Sequence, residues 1–202
     1  MSGTLPTTIG PSSFSFSALQ PALTSVAHSQ ARQVRSLDTH RWLFKVSWQN
    51  MLWAEYAPYY AFLLKQRGPY EKFHFTLPSP HSSPRGSWAG TPLVDGAVAV
   101  GTREIPMDGF TPSASNVALV GDFLKFDNHE KLYMVVENSN ADGSGDATIT
   151  IEPSLMTALP DNQSSTVSGI TVQVRRPQNV LTAPDRRSLF FHLSMDLVEE
   201  PN

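Results

Sequence analysis

At 202 residues the chain is long enough to bury a sizeable core, as one large domain or two small ones. It contains no cysteine, which excludes disulfides and thiolate metal sites, and its 15 basic and 18 acidic side chains leave a net charge of −3, which argues against a sequence-independent grip on phosphate backbones. No apolar run approaches the roughly 20 residues that span a bilayer, and the first residues lack the basic-then-apolar layout of a signal peptide, so synthesis in a cytoplasm-like compartment without membrane contact is expected.

Sixteen prolines and twelve glycines suit a fold with many turns and strand ends. Residues Met1 to Ser13 are mostly Ser, Thr, Gly and Pro, and 1–28 are expected to form a flexible N-terminal arm. No internal repeat is visible. From Ser29 the chain becomes structured. His40, Trp42, Phe44, Val46 and Trp48 fall on one side of a period-two strand, with Arg41, Lys45 and Ser47 on the other. A helix over Met51 to Gln66 follows from Leu52, Tyr56, Tyr59, Tyr60 and Leu63 at helical spacing, with Asn50 as its cap and Arg67–Gly68 as its end. Pro58 inside that pattern predicts a start or a kink near it. A strand over Glu71 to Leu77 places Phe73, Phe75 and Leu77 inward.

The Ser-, Pro- and Gly-rich stretch Pro78 to Pro92 reads as a connection, with 81–92 as the linker into a second unit, 93–185. Strands are expected there at Leu93–Val100, Thr102–Asp108, three in a meander between Gly121 and Leu155, and Ile170–Arg175. In the meander the inward positions are Phe123, Leu124 and Phe126, then Leu132, Met134 and Val136, then Ala147, Ile149 and Ile151. Residues Thr157 to Ser168 read as a solvent-facing loop. The last strand, Ser188 to Val198, matches the aromatic strands of the first unit, so 29–80 plus 186–202 are expected to form one domain with 93–185 inserted into it.

Chemistry-bearing constellations are sparse. The histidines at 28, 40, 74, 81, 129 and 192 share no metal-binding spacing. Asp142, Ser144 and Asp146 resemble the front of a calcium loop that Glu152 would have to close, but a hairpin turn explains them better. Gly86, Gly90, Gly96 and Gly101 form no phosphate loop, GSWAG at 86–90 has Trp where a nucleophile elbow needs Ser, and the adjacent Glu199 and Glu200 make a poor acid–base pair. No catalytic residue, cofactor or metal site is expected. The aromatic residues of the first half exceed what a small core hides, so Trp42, Phe44, Trp48, Trp53, Tyr56, Tyr59, Phe73, Phe75 and Phe191 are candidates for a subunit interface.

Three motifs occurring together carry a resemblance: GDF at 121–123, K-x-Y-x-V at 131–135, and G-x-A-T-I-x-I-x-P-x-L at 145–155. With HRWLFKVSWQNM and AFLLKQRGPYEKFHFTLP upstream, the chain over residues 14–200 resembles tailed-bacteriophage tail and baseplate structural proteins, in particular distal-tail or inner-baseplate ring proteins. The resemblance implies a β-rich (α+β) fold: a tail-tube-like β-sandwich with one helix packed on it, plus a small inserted all-β barrel or sandwich. It also implies a homohexameric ring at the distal end of the tail, lining the DNA channel. Its expected partners are copies of itself, the tail tube protein, hub and spike proteins and the tape measure protein, without sequence-specific nucleic-acid binding. Two alternatives stay open: a module gripping host-surface glycan or an accessory fibre through Trp88 or Tyr133, and, less supported, a peptidoglycan hydrolase.

Overall fold

The computed structural model describes residues 3–37, 39–181 and 190–201. In chain order its elements are β1 (Ser13–Leu19), β2 (Ala22–Val26), β3 (Arg32–Ser36), β4 (Arg41–Met51), α1 (Trp53–Lys65), β5 (Phe73–Thr76), β6 (Gly90–Val94) and β7 (Glu104–Phe110). There follow β8 (Phe123–Phe126), β9 (Tyr133–Val135), β10 (Ala147–Glu152), β11 (Ser165–Thr166), β12 (Thr171–Arg175) and β13 (Phe191–Glu199). The fold is β-rich with one helix.

One sheet has the order β1-β4-β13-β12-β5. Its long central pair is β4 with β13, where Phe44, Val46 and Trp48 lie opposite Leu197, Met195 and Leu193. Period-two alternation puts these six side chains on one face, where all are buried. Helix α1 covers one end of that face with Tyr56, Tyr59 and Leu63. Its start is not capped by Asn50, which lies within β4 at φ 57°. Leu52 is the N-cap, and its N–H donates 2.8 Å to the Glu55 carboxylate. Pro58 stands inside the helix because both it and Ala54, whose carbonyl it leaves without an N–H, face solvent.

The expected arm over 1–28 is corrected by the pairing found there. Ser-Phe-Ser-Phe-Ser at 13–17 alternates like a strand, and β1 pairs antiparallel with β4 from Ser13↔Ser47 to Leu19↔Arg41. Upstream, Leu5 is buried and its N–H donates to the His74 carbonyl, while His74 N–H returns a bond to Gly3. Tyr59 Oη accepts from Ile9 N–H at 3.1 Å and donates to the Ile9 carbonyl at 2.9 Å. Residues 3–5 thereby cover the β5 edge of the sheet, and β1 forms the opposite edge. Between β1 and β4, β2 and β3 form a separate two-stranded hairpin in which all ten strand residues are exposed, Leu23, Val26 and Val34 by about 60% each.

The second sheet has the order β11-β8-β9-β10-β7-β6. Bridges Leu93↔Ser164 and Val98↔Leu159 bring its two ends together, curling it toward a barrel around Val94, Ile105, Met107, Leu124, Phe126, Tyr133, Val135, Ile149 and Ile151. The meander β8-β9-β10 follows the sequence. Three expectations are revised here. The stretch Thr157–Ser168 is not a solvent excursion, because Leu159 is buried and β11 pairs with β8. Strand β12 pairs with β5 and β13 in the first sheet rather than lying in the second unit. The 81–92 stretch is partly built into the barrel, with Trp88 in its core and β6 starting at Gly90. Residue 186 and Ser188, where the last segment was expected to begin, lie outside the described residues; its described part is β13.

Candidate assembly surfaces and the junction between the sheets

The GDF motif is an anchor for the chain entering the barrel. Gly121 adopts φ +93° and donates to the Val135 carbonyl, turning the backbone so that Asp122 points inward. The Asp122 carboxylate accepts four donors: Arg85 N–H (2.6 Å), Gly86 N–H (2.9 Å), Trp88 Nε1–H (3.1 Å) and Leu119 N–H (3.0 Å). Only 2% of the residue is exposed, so this carboxylate is stabilised by donors rather than by water. Gly86 must be glycine, since a Cβ there would lie 2.6 Å from the Val117 carbonyl oxygen. Gly145 of the third motif is held the same way, with φ +93° and a Cβ position 2.4 Å from the Phe110 carbonyl oxygen.

Phe123 begins a division of labour. It pairs with Met134, and the next pair is Leu124 with Tyr133. Leu124, Phe126, Tyr133 and Val135 fill the barrel, whereas Phe123, Leu132 and Met134 pack into the core of the first sheet. The expected inward face of Leu132, Met134 and Val136 is therefore out of phase with the barrel, and Val136 is exposed. Phe123 contacts Phe16, Trp42 and His81 edge-on.

Beside this contact, polar groups cross between the sheets. Glu199 Oε1 accepts from Leu132 N–H (2.8 Å), and its Oε2 accepts from Trp42 N–H (3.1 Å) and from Lys131 Nζ. Lys131 also donates to the His40 carbonyl at 2.9 Å, and Trp42 Nε1 donates to the Leu132 carbonyl at 2.9 Å. Lys131 and Glu199 side chains are 2% and 0% exposed. Burial pushes the Glu199 carboxyl up and the Lys131 ammonium down from their usual ranges. His40 is held down at about 4 by burial and then by Lys131, and His129, bonded through Nε2 to Tyr133 Oη at 2.7 Å, is held at about 4 chiefly by burial.

Seven of the nine interface candidates, Trp42, Phe44, Trp48, Tyr56, Tyr59, Phe73 and Phe75, are buried within this chain's own first core. The aromatic count misled because residues 3–12, α1 and the barrel's Phe123 and Leu132 supply covering that a small sheet alone would lack. Trp53 is 57% exposed and Phe191 half-buried, the two rings meeting at a tilt at one end of α1. Trp88 and Tyr133 are 7% and 0% exposed, so neither offers a stacking platform for glycan. Asp142 caps its own turn, with Oδ1 accepting from the N–H groups of Ser144, Gly145 and Asp146, and Glu152 pairs with Arg103.

What sequence reasoning missed is the exposed hairpin and the role of Lys131. The signal for Lys131 was a charged residue directly preceding three alternating apolar ones. No curated protein matches the chain. Residues 81–170 match the model of the family described as distal tail protein pb9, B domain, and the barrel with its GDF, K-x-Y-x-V and G-x-A-T-I motifs is accordingly that of the phage distal tail protein family.

Proposed function

We propose that this protein is a structural component of a phage virion that forms a ring, hexameric in the simplest arrangement, at the distal end of the tail, joining the tail tube to the baseplate hub. The observation that carries the reading is the family match of the barrel. The five-stranded sheet with α1 is the ring-forming body, and the barrel is an insertion carried outside it.

Three features of the body support this. Strand β1 is a sheet edge, and a neighbour's strand can extend the sheet there; the other edge is already covered by residues 3–5. Every strand residue of the β2–β3 hairpin is exposed, and a two-stranded hairpin is marginal in water, so a neighbouring copy is its natural support. The face of the sheet opposite the core carries Ser13, Ser15, Ser17, Ser47 and Ser194, with Lys45 opposite Asp196. Hydroxyls with balanced charge make a channel wall that does not grip passing phosphates. Trp53 and Phe191 are the subunit-contact residues among the original candidates. The role requires no catalysis and no cofactor.

Electron microscopy of intact particles, with the wild-type protein and with residues 22–36 replaced by a short turn, tests the proposal. The expected result is a ring at the tail tip in the first and its loss in the second, with the purified variant still folded. Tails that lack this protein at the tip, or rings that form normally without the hairpin, refute the respective parts.

A further inference from the structure

The apolar contact between barrel and sheet, Phe123 against Phe16, Trp42 and His81 with Leu132 and Met134 in the same core, is cohesive but non-directional. The covalent crossings add little constraint, because both run side by side: Leu77 N–H donates to the Ile170 carbonyl, and Gly169 N–H to Ser82. Two adjacent crossings make one hinge. The polar groups at 131–132 and 199 are the second attachment, and they use directional bonds on both backbone groups of Leu132.

We propose that the buried Lys131–Glu199 pair is an orientation lock, selecting the single angle at which the barrel stands on the five-stranded sheet. The proposal is independent of ring formation. Burying two charges side by side loses hydration on both, so their mutual attraction adds little net stability; what the pair supplies is its bonds to Leu132 N–H, Trp42 N–H and the His40 carbonyl. The upward displacement of Glu199 and the downward displacement of Lys131 have that same cause. What an apolar pair does not supply is geometry: Glu199 would no longer hold Leu132 N–H and Trp42 N–H at one carboxylate.

The chain has no cysteine, so labels can be placed freely. Spin labels at S194C on β13 and T148C on β10, both exposed, report the angle as a distance distribution by pulsed electron paramagnetic resonance. In K131M/E199L the distribution is expected to broaden at least about twofold, and the melting temperature to fall because Leu132 N–H and Trp42 N–H lose their acceptor. Glu199→Gln, which keeps the shape and loses the charge, is expected to broaden it less. A distribution as narrow as wild type in Glu199→Gln, or in K131M/E199L where that variant folds, overturns the lock.

Discussion

Asp122→Asn isolates the most heavily used buried acceptor in the barrel. The carboxylate takes Arg85 N–H on Oδ1 and Gly86, Trp88 and Leu119 donors on Oδ2. An amide has one acceptor oxygen. Turned toward the three donors, it presents its NH2 to Arg85 N–H at the position of a 2.6 Å bond; turned the other way, it presents NH2 to three donors. In the better orientation one buried donor is left facing a donor, at about 1–3 kcal/mol, and three charge-assisted bonds become neutral ones, each weaker by roughly 0.5–1 kcal/mol. The sum is about 2.5–6 kcal/mol, a large share of the roughly 5–15 kcal/mol that keeps a domain folded. Urea unfolding of the full chain, with hydrogen exchange at residues 85–88 and 119, measures it. A loss below about 1 kcal/mol, or exchange at those amides unchanged, would refute the reading of Asp122 as the anchor.

Two further outcomes are expected. Tyr59→Phe removes both links to Ile9 and should cost about 1–2 kcal/mol, with exchange rising over residues 3–12 and not over β10; unchanged protection of the N-terminal segment would contradict its anchoring. His40 and His129 have folded values near 4 against 6.5 when free, so the unfolded chain takes up protons first as pH falls. Their contribution to stability is whole above pH 6.5 and is lost progressively as pH drops through about 4. His129→Gln should therefore flatten the fall in the urea midpoint over that window, and an identical pH profile for wild type and variant would count against it.

Much of the architecture was legible because single-period patterns carry it. The run Trp42 to Trp48, the Tyr56–Tyr59–Leu63 stripe and Ala147 to Ile151 each have one buried face, and each forms the expected element. Legibility failed where a segment serves two neighbours. In Leu132–Val136 both parities are apolar because one faces the barrel and the other the sheet, and no periodicity within the segment distinguishes the two cores. Composition misled at 86–90 and at 3–12, where Gly, Pro and Ser read as loop. Gly86 is there because no Cβ fits, and Pro- and Thr-rich residues lie along the sheet through backbone bonds that sequence does not display. The candidate surfaces were less legible still, since exposure of an aromatic ring depends on coverings far away in the chain.

The two-faced pair β8–β9 has a thermodynamic consequence. Each strand contributes side chains of opposite parity to two cores, so melting either core strips the backing from the strands that wall the other. Barrel and sheet are then coupled halves of one cooperative unit, and heating should draw a single calorimetric transition whose van't Hoff and measured enthalpies agree, rather than two peaks separated by the stability of each part.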